Sequence, residues 1–509
     1  MTPDSQEIVQ QIKDKFEEII TFVTQNQKHS PSIYQAEKYL LASLLSLGRD
    51  LLLAFIMTQQ EQLQHTESIC LNGEKLPIHS LKRRSYRSIF GKLTFKRAYY
   101  YKAGQSYFLL DARLKMPENS LSDLLREWCS ELACYLPYHK AGKIFESILT
   151  QKLSCRPLEE VILEDSALVE EFYQNSPLVQ NSPLVWPATE STILVAQADG
   201  KGIPMLPENS QPTRVRLGKG EKLGQKKEAI VTSVYTIAPF VRTPEEVTIS
   251  LFKESKNQED TKSKKSKTRV GPQNKQLWAT LEGKKSALEF TSKQVSLREG
   301  EHISMRVALT DGSAPLQEKM LTHLPLFSLV LDIIHAVEYL WEAGNSLHGE
   351  KSPLRQVWVQ KRVLLLLQGQ SAAVISDLRE LAAAPSCKKT ASEVLLKVAN
   401  YYQRNASYMR YNDYLAAGWP IATGVIEGAC RHLVKDRFEL SGMHWRVTGA
   451  ESLLRLRCVT ENQDWESFHC LRREREQTRL YGTFSAWDSP CIERANPKMK
   501  MPQGGYQVA

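Results

Sequence analysis

The chain has 509 residues, enough for roughly three domains at about 150 residues each. It is 42% hydrophobic, 24% charged and 8% aromatic, which excludes whole-chain disorder, a collagen-like fibre and a multi-span membrane protein. Sixty-six Lys and Arg stand against 57 Asp and Glu, and the formal charge of +9 is compatible with a nucleic-acid partner without requiring one.

The opening residues MTPDSQEIVQ lack a basic stretch followed by an apolar core, so no signal peptide is expected. The run Leu40–Met57 is apolar but carries Arg49 and Asp50 at its centre, which predicts a buried helix of a soluble protein and no membrane partner. Nine cysteines are scattered without a CxxC pair, consistent with reduced thiols in a cytoplasm and with no zinc site. Residues 1–80 read as N-terminal helices. Residues 81–173 read as a small sheet, centred on the basic and aromatic alternation of 86–111, followed by helices. Pro137 and Pro157 mark the starts of helices Lys140–Leu149 and Leu158–Phe172, which would form a helix-turn-helix within 138–172 or simply two packed helices.

A tandem QNSPLV repeat inside 174–189 predicts a linker. An α/β pattern occupies 190–341. Strands are expected at 191–200, 228–240 and 302–312, a helix at 274–290, and a solvated basic loop at 253–270. Residues 342–418 read as helical, 419–480 as a last segment of the core, and 481–509 as a tail. Two strands end in the same way, with an apolar run, Asp and Gly, at Asp199 and Asp311. Ligands and catalytic groups of open α/β sheets lie at such carboxyl ends, although Asp-Gly is also a common turn pair. A third acid, Glu427, sits early on a late helix among Gly424, Gly428 and Ala429. Acid on a first strand, acid after a fourth, then acid on a late helix is the order of an RNase H-like α/β core. There, hard carboxylate ligands hold Mg²⁺ for in-line phosphoryl displacement.

Arg431 and Lys435 follow Glu427 at helical spacing, either as ion-pair partners or as a phosphate clamp. Trp445, just beyond, is either core or a base-stacking group.

The segments ADGKGIPM (198–205), LTDG (309–312), PIATGVIEGACRHLVKDR (420–437) and GAESLLRLR (449–457) resemble the Kra-type insertion-sequence transposases. These are bacterial DDE enzymes distantly like the Mutator group. FGKLTFKRAYY and FLLDARLKMPENSLSDLL in the N-terminal half look similar to the same family. The resemblance implies an RNase H-like core, a mostly helical N-terminal DNA-binding region and a helical insertion before the last catalytic helix. It implies two Mg²⁺ or Mn²⁺ ions, and cleavage and strand transfer at the element's terminal inverted repeats into target DNA. It also implies a homodimer or higher assembly on DNA, and a bacterial, nucleoid-associated location. The implied catalytic and metal acids are Asp199, Asp311 and Glu427. Asp332 is the alternative second acid, and with His335 it matches an accessory motif of the Mutator group.

The basic stretch Lys82, Arg83, Arg84, Arg87, Lys92, Lys96 and Arg97, interleaved with Tyr and Phe, is the expected DNA surface, or else a solvated sheet face. Some relatives carry an N-terminal zinc finger, for which this chain has no CxxC pair, so specific end recognition falls to the candidate helix-turn-helix. A structure-specific endonuclease without strand transfer, and a non-catalytic DNA-binding descendant, remain open alternatives.

Overall fold

A computed structural model describes residues 5–24, 31–63, 66–71, 73–175, 190–206, 226–252, 270–482 and 491–492. Most of the linker over 174–189, the basic loop over 253–269 and most of the tail beyond 481 lie outside the described residues. The chain divides into two units, residues 1–172 with 463–509, and residues 173–462.

In the first unit, α1 (Ser5–Thr24) and α2 (Ile33–Glu61) form an antiparallel hairpin. Ser32 opens α2 through a capping box with Gln35, satisfying backbone N–H groups that a helix start leaves orphaned. Asp50 is tolerated in the middle of α2 because Lys15 of α1 pairs with it. The expectation that this helix is buried is corrected: only Leu47, Asp50 and Ile56 are. Among the described residues, α2 is the one helix long and apolar enough to cross a membrane.

Strands β1 (Ser68–Leu71), β2 (Glu74–Ser88), β3 (Gly91–Lys102) and β4 (Gln105–Tyr107) form an antiparallel meander, with Cys491–Ile492 pairing parallel to β1. Helices α3 (Asp123–Tyr135), α4 (Tyr138–Leu149) and α5 (Cys155–Ser166) follow, packed through Leu125, Cys129, Phe145 and Leu158.

The helix Trp465–Tyr481, expected in the last part of the core, belongs to this first unit. Its Arg472 is buried and pairs with Asp123 of α3, while Phe468 packs edge-on against Phe172. Arg126 and Arg472 surround the fully buried Asp165, whose carboxyl they hold below its ordinary value against the opposing effect of burial. Partners so distant in sequence leave no local signal.

In the second unit, five strands lie in the order β7-β6-β5-β8-β9: β5 (Ile193–Pro204), β6 (Lys226–Ile237), β7 (Gln273–Thr280), β8 (Met305–Thr310) and β9 (Ser328–Leu331). β5, β6 and β7 pair antiparallel in succession; β5, β8 and β9 pair parallel. The helix predicted over 274–290 is corrected to β7 followed by α6 (Lys284–Arg298). Gln276–Thr280 are all buried against β6, and Gly283, at φ +98°, starts the helix only after the strand has ended.

Side chains alternate across β5. Leu194, Ala196 and Ala198 face a core shared with α6 and α7 (Ala314–His323). Ile193 and Val195 face a larger core shared with α8 (Ile333–His348) and the helices Pro353–Leu367, Ser371–Ala383 and Lys389–Asn405. The helical segment expected over 342–418 is therefore present, and it covers one sheet face.

Candidate active site

Gln197 of β5 is in register with Leu309 of β8, so Asp199 and Asp311, each two residues further, occupy matching places on adjacent parallel strands. Thr310 is in register with Leu331, and the Asp332 N–H donates to the Thr310 carbonyl at 2.9 Å, which puts Asp332 beside Asp311. Asp311 and Asp332 therefore stand just past the carboxyl ends of β8 and β9, and Asp199 is level with them but within β5, which runs on to Pro204 paired with β6; the strand end expected at Asp199–Gly200 is corrected. Asp199 continues the side-chain alternation of Ile193, Val195 and Gln197, so it projects from the helix-covered face.

The helix α9 (Gly424–Ala429) crosses these acids. Its Ile426 N–H donates to Gln197 Oε1 at 3.0 Å, and Gln197 is itself held by the Tyr235 hydroxyl at 3.1 Å. Further along, the Cys430 thiol donates to Asp199 Oδ2 at 3.3 Å. Burial, and then the Asp199 charge, push that thiol far above its ordinary value, so it remains a neutral donor. Residues Cys430–Lys435 form a π-helical turn, a widening that is frequent beside functional groups.

Asp332 is fully buried and saturated. Its Oδ1 accepts from the Ile334 N–H at 3.0 Å and the Thr423 N–H at 3.3 Å; its Oδ2 accepts from the Thr423 hydroxyl at 2.6 Å and His335 Nδ1 at 2.7 Å. It thereby caps α8 and ties it to the residue that begins α9. The hydrogen bond to Asp332 raises the His335 pKa to about 9, against burial, with the charges of Asp332, Glu338 and Asp311 adding to the effect. Thr423 Oγ1 also lies 3.2 Å from Glu427 Oε1. Among the described residues, the ligand atoms of Asp332, His335 and Glu427 form a group lying within 4.8 Å of one another that could hold a cation. Asp199 and Asp311 lie outside that group.

Asp311 is less committed than Asp332. Its Oδ1 accepts from the Ser313 N–H at 2.9 Å and is 3.4 Å from the Thr310 hydroxyl, while no bond to Oδ2 is found among the described residues. The turn behind it is clamped: the Tyr401 hydroxyl donates to the Asp311 carbonyl, and Arg404 to the Gly312 carbonyl, both at 2.7 Å. Gly312 has φ +87°, and a Cβ there would lie 2.4 Å from the Tyr401 oxygen, so glycine is required. By contrast, added Cβ atoms at Gly424 and Gly428 would meet nothing within 4 Å. Two glycines in one helix, each costing about 1 kcal/mol relative to Ala, have no packing reason here and leave the surface beside exposed Glu427 bare.

Arg431 and Lys435 are exposed. Arg431 lies 3.6 Å from Asp436, so the ion pair with Glu427 expected from spacing is replaced. Trp445 is buried on Phe438 and donates to the Phe438 carbonyl at 3.1 Å, and its backbone bonds to the end of β5; base stacking is corrected to a structural role.

In the first unit, the expected DNA surface divides between the two faces of the β2–β3 hairpin. Arg84 and Arg97 are withdrawn from it: both are buried and bind Asp111, at 2.6 and 2.8 Å. Lys82 lies over the Tyr99 ring at 3.5 Å. The opposite face carries Arg83 directly across from Lys96, and Arg87 directly across from Lys92. Arg83, Lys92 and Lys96 are exposed. Like charges placed opposite each other on antiparallel strands repel, so this face is destabilised unless a polyanion lies over it. The candidate helix-turn-helix fares differently. α4 and α5 form at the expected places, but the exposed side of α5 carries Glu159, Glu160 and Glu164, which repel phosphates.

Gln197, Thr423, Tyr401 and Cys430 went unnoticed in the sequence. Only Thr423, four residues before Glu427, had a spacing that hinted at its contact. Comparison with known proteins found no family model that matches the chain and no curated protein that matches it.

Proposed function

We propose that the second unit is an RNase H-like core and that the protein is a DDE transposase of an insertion sequence, cutting and joining DNA at the element's ends. The observation that carries this reading is the strand order β7-β6-β5-β8-β9 with β6 antiparallel, with acids level with one another within β5 and just past the end of β8, beside a helix that carries a third. The donor chemistry fits a hard divalent cation: Asp199, Asp311 and Glu427 supply carboxylate oxygens, Asp311 and Glu427 each with an oxygen unbonded among the described residues.

Those three residues would hold Mg²⁺ or Mn²⁺, which when bound stabilises charge on the transferring phosphate. Asp332 acts as a positioning residue, holding Thr423 and therefore the start of the Glu427 helix. His335, protonated at neutral pH, offsets the local negative charge. The bare glycine face of α9, flanked by Arg431 and Lys435, gives a phosphodiester backbone close access to Glu427. The Arg83/Lys96 and Arg87/Lys92 face is a second, sequence-independent contact for DNA.

The test is metal-dependent cleavage and joining of element-end DNA by the full chain, with a 3′-hydroxyl donor strand. Cleavage with joining is expected. Cleavage without joining would leave an endonuclease, and DNA binding with neither would leave a non-catalytic binding protein.

A further inference from the structure

Lys201 stands two residues beyond Asp199 on β5. Because β6 pairs with β5 as far as Pro204, the side-chain alternation continues, and Asp199, Lys201 and Ile203 project from the same face. A strand that ended at Gly200 would leave Lys201 in a turn, with no direction fixed relative to Asp199. The segment that carries Glu427 lies on this face. Its Cys430 thiol donates to Asp199, Ile203 is fully buried, and the Trp445 N–H donates to the Pro204 carbonyl at 3.0 Å. The positions on either side of Lys201 are therefore fixed, while Lys201 itself is half-buried.

The lysines around it have acidic partners. Lys226 binds Glu439 at 2.9 Å, and Lys284 binds Glu228 at 2.6 Å. Lys201 makes no hydrogen bond or ion pair among the described residues. Its charge is nevertheless felt nearby. The bond from Lys226 holds the Glu439 carboxyl below its ordinary value against burial, and the charges of Lys226, Lys201 and Lys435 add to that effect. Lys201 and Lys435 thus stand near one carboxylate that a third lysine already occupies. A partly desolvated ammonium without a counter-ion is unfavourable until an anion reaches it.

We propose that Lys201 binds a non-bridging oxygen of the phosphodiester lying over Asp199, as a further catalytic residue of the reaction proposed above, on which this inference rests. Alternate residues of a strand are about 6.7 Å apart, so a phosphate engaged at Asp199 lies within reach of the four-carbon stem. Lysine suits the place because a compact point charge meets a single oxygen without the planar fork that arginine needs. Arg431 and Lys435 are exposed, whereas Lys201 is held by the same strand as Asp199. Its charge is therefore set in place before the phosphate arrives, which is the condition for electrostatic stabilisation of a transition state.

Two measurements on the full chain test this. The first is acetylation of lysines by an N-hydroxysuccinimide ester, read by peptide mass spectrometry, with and without an element-end duplex in Ca²⁺, a hard cation that takes the same oxygen ligands. Lys201 should be acetylated severalfold more slowly with DNA; an unchanged rate would overturn the proposal. This readout needs neither catalysis nor a substitution, so it decides the contact even if a variant misfolds. The second is single-turnover cleavage at saturating DNA. K201Q should be slower by about a hundredfold and K201R should recover most of the rate. Both should melt with the native chain, because Lys201 has no internal partner to lose. K201Q cutting at the native rate, or K201R as slow as K201Q, would overturn the role given to the charge. Protection of Lys201 in a native chain that cuts no DNA would support the contact and refute the catalytic reading instead.

Discussion

Replacing Asp332 with Asn tests whether that acid is the knot of the site rather than its metal ligand. The amide oxygen can still accept from the Ile334 and Thr423 N–H groups. The amide nitrogen, however, faces the Thr423 hydroxyl and His335 Nδ1, both of which donate to the carboxylate at 2.6 and 2.7 Å. His335 then loses the partner that raises its pKa from 6.5 to about 9. A folded-state pKa above the unfolded one stabilises the fold fully below pH 6.5, and that contribution disappears as the pH rises through 9.

At pH 7 the shift is worth about 2.5 kcal/mol by linkage, reduced to about 1–2 kcal/mol because His335 is partly exposed. Losing the charge-assisted bond from Thr423 adds about 1–2 kcal/mol. The total of about 2–4 kcal/mol corresponds to a melting point lowered by roughly 5–10 °C for a unit of this size. Thermal unfolding followed by circular dichroism reads the loss, and NMR of the imidazole reads the His335 pKa, expected to fall towards 6.5. The stability gap between native and D332N chains should narrow above pH 9. A variant melting within about 1 °C of the native chain, with His335 still titrating near 9, would refute the assignment.

Other expectations follow from the same geometry. Asp199→Asn, Asp311→Asn and Glu427→Gln should each abolish metal-dependent strand cleavage while DNA binding and melting temperature survive; full cleavage by D311N would promote Asp332 to the metal site. Arg83→Ala with Lys96→Ala should weaken DNA binding and lower the salt slope of the binding constant by about 2, yet leave the unit as stable as before or up to about 0.5 kcal/mol more so, because two opposed like charges disappear. Unchanged affinity measured by anisotropy at several salt concentrations would remove this face from DNA recognition. In the first unit, burial, with Arg472 and Arg126 nearby, depresses the His469 pKa to about 3, so its ring is neutral and its 4.0 Å contact with Glu127 is no ion pair. A depressed histidine destabilises the fold as the pH falls below 6.5, by at most about 1.4 kcal/mol per pH unit. Urea unfolding of H469N should show a flatter dependence between pH 6.5 and 4; an identical slope would mean that His469 titrates normally.

Much of the candidate site was legible in the residue order. An apolar run followed by Asp-Gly marks the end of β8 at Asp311, whereas at Asp199 the same pattern does not end the strand, because β6 pairs with β5 as far as Pro204. The small residues around Glu427 marked a helix face without packing partners.

Misreadings arose where local pattern and long-range pairing compete. Residues 274–290 carry a helix-like composition, yet their first half is drawn into a strand because β6 offers a ladder of hydrogen bonds and a buried side for Leu277 and Trp278. Arg84 and Arg97 are, in sequence, indistinguishable from Arg83 and Lys96; the pleat sends the first pair inward to Asp111 and leaves the second pair facing out. Trp445 is core because β5 extends to meet it.

What the sequence alone determined was which residue types stand at element ends, since propensity, turn chemistry and periodicity act over a few neighbours. The saturation of buried Asp332, the withdrawal of two arginines and the exposure of much of α2 were decided by tertiary structure, because each depends on which distant group arrives to satisfy a buried charge or cover an apolar face.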